Sequence, residues 1–272
     1  MAHSVRLFTS LRYDAALYSV PDEFTEHAGW NFNHRSPLYM LDYHRDRMLR
    51  AATHWGWTAA IEALQGDAGL ARLMGLVEPV ASTKPSPRRV KILVAKDGQL
   101  SCETGPTLPT SLQNLFPARL PPPGASHVEG DPLKEPTYDV LPDSAQTVRS
   151  EYTHFKTTER SVYDGARSRV SIQLTDLKEV LLVNNTDGSV MEGSMTTPYF
   201  WRNGRWVTPP VPNTFSWEAG SGGQDGTSRR WALLWGLAVE EVVSGDSLVD
   251  GEECWISNGV RGFCCGRLRL GL

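Results

Sequence analysis

Nine prolines between Thr104 and Asp143, at positions 106, 109, 117, 121, 122, 123, 132, 136 and 142, constrain the fold of this chain more than any other feature. Each removes a backbone N–H and fixes φ near about −65°. The stretch therefore excludes long helices and is not expected to supply a central strand. It reads as a connector, 104–144, between an N-terminal α/β domain (1–103) and a C-terminal domain (145–272), a division compatible with two small domains.

The rest of the composition is that of a globular chain: 272 residues, 40% hydrophobic, 21% charged, net charge −4. The longest apolar runs, Val180 to Val183 and Trp231 to Leu237, fall far short of the roughly 20 residues that cross a bilayer. No Lys/Arg block is present, which argues against nucleic acid as the main partner and favours a small ligand. The opening residues MAHSVRLFTSLRYD lack the apolar stretch of a secretory signal, so a cytoplasmic location is expected. Cys102, Cys254, Cys264 and Cys265 match neither a disulfide framework nor CxxC zinc spacing. They are expected to be ordinary thiols, with no metal.

Apolar periodicity supplies the elements. Leu38, Leu41, Met48, Ala51, Ala52 and Trp55 recur at mostly helical spacing, and Thr58 to Leu64 is a second helix. Arg89 to Ala95 alternates, and Lys96-Asp97-Gly98 turns it into Gln99 to Cys102 as a hairpin. Further on, a helix is expected over Thr157 to Arg169, with Val162, Ala166 and Val170 on one face. Strands follow at Glu179 to Asn184, Tyr199 to Trp201, Arg205 to Thr208, Glu241 to Val243 and Glu253 to Ser257, with a helix from Thr227 to Val239. Strands and helices without strict alternation give an α+β class, with a smaller N-terminal α/β domain and a larger, strand-rich C-terminal one.

Three places could carry chemistry. The glycine-rich stretch Gly220 to Gly226 runs into a helix at Thr227-Ser228, where unpaired backbone N–H groups and the positive end of the helix dipole suit a phosphate. The same pattern also describes a flexible loop with an ordinary cap, and it is neither a P-loop nor a dinucleotide fingerprint. Lys156, in Thr153-His154-Phe155-Lys156-Thr157-Thr158, is placed beside aromatic groups and a predicted helix start. Such a setting disfavours the ammonium and frees the amine to condense with a carbonyl; a solvated lysine at a helix end is the plainer alternative. Glu192 ends a strand against Gly193, facing either a cavity or solvent.

In order along the chain, Leu41-Asp42-Tyr43-His44-Arg45-Asp46-Arg47, Phe155-Lys156-Thr157-Thr158, Met191-Glu192-Gly193-Ser194, Gly226-Thr227-Ser228-Arg229 and Ile256-Ser257-Asn258-Gly259-Val260-Arg261-Gly262 resemble the motifs of fold-type IV pyridoxal-phosphate enzymes. That family includes branched-chain and D-amino-acid aminotransferases and 4-amino-4-deoxychorismate lyases. Tyr43-His44-Arg45-Asp46-Arg47-Met48, Gly222-Gly223-Gln224-Asp225-Gly226-Thr227 and Asn258-Gly259-Val260-Arg261-Gly262 are most similar to the fungal lyases. Thr9 stands where the family has an acidic residue, and the N-terminal domain is expected to be reduced.

The resemblance implies a two-domain fold-type IV enzyme that binds pyridoxal 5'-phosphate, acts on a small molecule and forms a homodimer. It implies that Lys156 holds the cofactor covalently and moves protons, and that Glu192 pairs with the pyridine nitrogen. Arg47, Thr227, Ser228 and Asn258 or Gly259 would surround the phosphate. Arg12, Arg89 and Arg261 are candidates for the substrate carboxylates by charge, with Arg88 a further one. The implied reaction is aminodeoxychorismate lysis in folate biosynthesis. An aminotransferase of branched-chain, D-amino-acid or amine donors is the alternative within the family, and a catalytically silent partner protein is an alternative outside enzymes.

Overall fold

The computed structural model describes residues 4–83, 86–173 and 175–271. They form two compact units, interleaved in sequence: Met1–Leu112 with Phe155–Glu159 and Gly259–Arg261, and Gln113–His154 with Arg160–Asn258 and Gly262–Leu272. Among the described residues no helix is long and apolar enough to cross a membrane.

The first unit is built on an antiparallel sheet, β1 (Leu7–Tyr13), β2 (Arg88–Val94) and β3 (Leu100–Pro106), in that spatial order. The expected hairpin forms β2 and β3. Its turn needs Gly98, because φ is +82° there and an added Cβ would meet the Ala59 carbonyl oxygen at 2.6 Å. A one-turn helix α1 (Trp30–Asn33) precedes α2 (Leu41–His54), α3 (Thr58–Leu64) and α4 (Gly66–Ala81). In α2 the buried residues Leu41, His44, Met48 and Ala51 lie three and four apart, the spacing of a core-facing stripe. Helix α4 was not anticipated; it buries Gly69, Leu73, Val77 and Ala81, each four residues from the last.

Strand β1 was likewise missed, because it is buried on both faces and shows no alternation. It is an edge strand, whose unpaired N–H and C=O groups need partners. The two short inserted segments supply them. Phe8 N–H donates to the Lys156 carbonyl at 3.1 Å and Thr158 N–H to that of Arg6 at 2.9 Å, while Arg12 N–H donates to the Gly259 carbonyl at 2.9 Å.

In the second unit, after the one-turn helix α5 (Leu112–Leu115), eight strands form one sheet: β4 (Tyr138–Thr147), β5 (Lys178–Asn184), β6 (Val190–Gly193), β7 (Thr197–Arg202), β8 (Arg205–Thr208), β9 (Val239–Glu240), β10 (Glu253–Asn258) and β11 (Gly262–Leu268). Their order is β6-β5-β4-β11-β10-β7-β8-β9. Successive residues of β5 serve opposite faces: Leu181 packs with Val140, Val190, Phe200 and Ile256, and Val180 and Leu182 with Tyr163, Ala166 and Met191. The helices of this unit are the one-turn α6 (Glu151–His154), α7 (Ser161–Arg169) and α8 (Thr227–Trp235).

The proline-rich stretch does supply a central strand: β4 lies between β5 and β11, and it tolerates Pro142 because the β4–β5 register shifts between Pro142 and Gln146, where a missing ladder donor does little harm. Helix α7 begins at Ser161 and not Thr157, so Lys156 sits in an extended segment bridged to β1 through Leu7 and Thr157. The start of α7 therefore lies beyond Lys156 and does not bear on its ammonium. Finally, α8 stops at Trp235, because Gly236 adopts φ +79° and its N–H caps Leu233 and Ala232 carbonyls; Glu241 to Val243, expected as a strand, is irregular, and the two-residue β9 lies just before it at Val239–Glu240.

Candidate active site

In the first unit, β1 gathers the candidate residues. Thr9, completely buried, points at α2, where its Oγ1 accepts from Arg47 Nη2 at 2.5 Å and lies 2.6 Å from His44 Nδ1. Burial, then the positive charges of Arg47 and Lys156, hold the His44 pKa well below the ordinary histidine range. His44 is therefore neutral, and the Thr9 hydroxyl links its Nδ1 to the Arg47 guanidinium. A neutral hydroxyl at position 9, unlike a carboxylate, leaves the Arg47 charge uncancelled at this point.

The neighbouring residue on β1, Phe8, fixes Lys156. Its N–H takes the Lys156 carbonyl, and the Lys156 ammonium lies 5.1 Å from its ring centroid, a cation–π distance. Phe155, next to the lysine, packs on Trp55 and His54 of the segment ending α2. One strand thus positions Lys156 by backbone and Arg47 by side chain.

Further along the same strand, Arg12 is fully buried. Its Nε pairs with Asp14 at 2.7 Å, and Nη1 donates to the Leu108 and Val260 carbonyls, each at 3.1 Å, and to Thr110. Nη2 is buried with no protein partner. Arg12 therefore clamps the Gly259–Arg261 turn from both its backbone and its side chain. Arg89 is directly across from it on β2 and, like Arg261, is half-buried. Gly259 is held by the bond from Arg12 N–H.

The second unit holds the carboxylate. Glu192 on β6 is 7% exposed, and its Oε1 accepts from the Tyr163 hydroxyl of α7 at 2.6 Å. Gln224 Nε2 donates to that same phenol oxygen at 2.8 Å. The loop carrying Gln224 lies directly on β6: a Cβ on Gly223 would meet the Met191 carbonyl oxygen at 2.6 Å and the Glu192 Cβ at 3.1 Å. Tyr163 and Gln224 escaped assignment from sequence. The only signal for Tyr163 is a polar-tipped aromatic beside the apolar stripe of its helix.

This loop ends at Gly226, the N-cap of α8, which makes no side-chain cap bond; the first N–H groups of a helix have no acceptor within the helix itself. Thr227 and Ser228 are buried there. The Ser228 hydroxyl is 2.8 Å from that of Ser257, which in turn is 2.9 Å from the Tyr199 hydroxyl. Asn258, at the end of β10, donates to the Met195 carbonyl at 3.2 Å, tying β10 to the turn after Glu192. Two buried polar atoms at this loop have no protein partner: Ser221 Oγ within it, and Nε of Arg149, whose Nη1 donates to the Ala219 carbonyl at 3.1 Å.

A model of the amino-transferase class IV family matches residues 29–265. Among curated proteins, the chain is 32% identical over 116 residues to a Schizosaccharomyces pombe protein provisionally named an aminodeoxychorismate lyase, which covers 42% of this chain and 46% of that one. It is 31% identical over 147 residues to the Saccharomyces cerevisiae aminodeoxychorismate lyase, over 48% of this chain and 37% of that one. The chain thus spans less than half the length of the two relatives. A solved structure from Mesorhizobium loti, provisionally an amino-acid aminotransferase, superposes with a TM-score of 0.64 at 18% identity, over 98% of this chain and 100% of that one. By the extent of the family match and by its fold, the chain belongs to the class IV amino-transferases, the fold-type IV family.

Proposed function

We propose that this protein is a pyridoxal-phosphate-dependent aminodeoxychorismate lyase that converts 4-amino-4-deoxychorismate to 4-aminobenzoate and pyruvate, a step of folate biosynthesis in the cytoplasm. The observation that carries the reading is the partial identity to two yeast proteins bearing that name, joined to motifs that match fungal lyases in both halves of the chain. The family acts on small molecules, and the homodimer the family implies is part of this proposal.

The residues present fit the cofactor chemically. A helix start without a side-chain cap suits a phosphate, and a buried carboxylate, Glu192, suits a protonated pyridine nitrogen. A primary amine, Lys156, held against Phe8, suits an aldehyde carbon. In this reading Arg47 grips the phosphate with its planar fork, and Thr227, Ser228, Asn258 and Gly259 complete its surroundings. When bound, pyridoxal phosphate supplies an electron sink for the carbon bearing the substrate nitrogen.

The chain's own share is positional and acid–base. Lys156 Nζ removes the proton from the ring carbon that carries the amino group. The bond from the adjacent carbon to the enolpyruvyl oxygen breaks, the ring becomes aromatic, and Lys156 or a water returns a proton to the enolpyruvate methylene, giving pyruvate. Glu192 keeps the pyridine nitrogen protonated through this step. For the substrate carboxylates, the half-buried Arg89 and Arg261 are the stronger candidates. Arg12, already committed to Asp14 and three oxygens, contributes by holding the Arg261 turn.

The test is to mix the protein with freshly generated aminodeoxychorismate, without a keto acid, and follow both products. Equal amounts of 4-aminobenzoate and pyruvate are expected. If neither forms while an amine donor and a keto acid exchange nitrogen, the protein is an aminotransferase, the second reading that its solved-structure neighbour suggests.

A further inference from the structure

We propose that Tyr163, backed by Gln224, is the positioning residue that keeps the Glu192 carboxylate ionised and fixes the direction in which it meets a bound pyridine nitrogen. This deepens the reading above and rests on it for the identity of the ligand; the hydrogen-bonded chain itself stands on the structure.

The Tyr163 phenol has one proton, and two acceptors are near it: Glu192 Oε1 at 2.6 Å and the Thr153 carbonyl at 3.1 Å. Gln224 Nε2 donates to the phenol oxygen at 2.8 Å, which makes its O–H a stronger donor. The shorter contact, to a carboxylate, takes the proton. The chain therefore runs in one direction, from the Gln224 amide through the phenol to Glu192.

The direction matters because Glu192 is buried, and burial alone favours the neutral acid. A neutral glutamic acid could not keep a pyridine nitrogen protonated. A donor committed to the carboxylate reverses that preference. The phenol cannot become a competing anion: burial, and then the charge of Glu192, push its own pKa well above the usual tyrosine range.

The ring is also locked in place. Tyr163 is 2% exposed, and the Arg160 guanidinium stacks 4.4 Å from its ring centroid while donating to the Ser194 carbonyl at 2.8 Å, just past Glu192. The glycine at 223 admits the Gln224 loop to this position, since any Cβ there would strike the β6 backbone. The phenol thus meets the carboxylate oxygen, and Gln224 and Arg160 hold the phenol.

The test uses full-length Tyr163→Phe and two probes, pyridoxal phosphate and its carbocyclic analogue with C–H in place of the ring nitrogen. Affinity for pyridoxal phosphate is expected to fall roughly 10- to 100-fold, the worth of a hydrogen bond to a buried charge, while affinity for the analogue stays within about twofold because it offers Glu192 nothing to pair with. Equal loss for both probes would make Tyr163 a packing residue and overturn the proposal, as would no loss for either. A second readout needs no cofactor: the Glu192 carboxyl, followed by carbon NMR in the unloaded protein, is expected to titrate at a higher pH in the variant. If wild type binds neither probe, the functional reading fails, and this titration still decides the Tyr163–Glu192 link. Should Tyr163→Phe fold poorly, Gln224→Leu is expected to raise the same titration by a smaller amount, and an unchanged titration would count against the proposal.

Discussion

Replacing Lys156 with Ala is expected to leave a folded protein that has lost turnover by at least about 10²- to 10⁴-fold, the range that positioned proton transfer contributes, and that no longer shows the visible absorbance of lysine-bound cofactor. Folding should survive because the contact holding this segment to β1, Phe8 N–H to the Lys156 carbonyl, is made by backbone. The structure also names the lysine to suspect if the spectrum does not change. Lys91 Nζ lies 5.3 Å from the same Phe8 ring, though it is paired with Glu103 at 3.5 Å. An unaltered band in Lys156→Ala, with loss in Lys91→Ala, would transfer the role.

Arg12→Leu is expected to cost about 3–5 kcal/mol of stability, the usual penalty for breaking a buried ion pair by removing one partner. Asp14, 8% exposed at its side chain, would lose its guanidinium, and the Leu108 and Val260 carbonyls would each lose a donor. The backbone bond to the Gly259 carbonyl survives the change, so the Gly259–Arg261 turn should loosen at Val260, which loses its side-chain donor. Urea unfolding would show the change as a lower midpoint. If stability instead changed by less than about 0.5 kcal/mol, as at an ordinary surface site, while KM rose, Arg12 would be a substrate ligand and not a clamp.

The contrast between Arg12 and Arg47 illustrates what was legible in the chain. Helix α2 could be read from its apolar stripe, and once the stripe is drawn, His44 falls on it as a polar residue facing the core. The β2–β3 hairpin and β5, β7, β8 and β10 were legible for the same reason, local periodicity bounded by turn residues. Strand β1 was not. Its edge is satisfied by Lys156 and Gly259, roughly 150 and 250 residues further along, and no local window contains such partners. Pro142 misled because its meaning depends on where the register shifts, and that is a property of the neighbouring strand. Of the candidate site, Lys156 and Glu192 were marked by local context with plainer alternatives, and only the likeness to motifs gave them, with Arg47, their roles, since a lone lysine or glutamate carries no periodic signature. Tyr163 and Gln224 share no window with Glu192, and only the packing of α7 and the glycine loop on β6 brings them together.

On the proposed reading Lys156, held to β1 by the bond from Phe8 N–H to its carbonyl, is the lysine that takes the cofactor. The direct measurement is to load the purified protein with pyridoxal phosphate, reduce it with borohydride so that the lysine–cofactor bond becomes permanent, digest it and locate the label by mass spectrometry. The expected result is a single labelled peptide carrying the cofactor on Lys156. A label on Lys91, or protein that takes up no label under saturating cofactor, would contradict it.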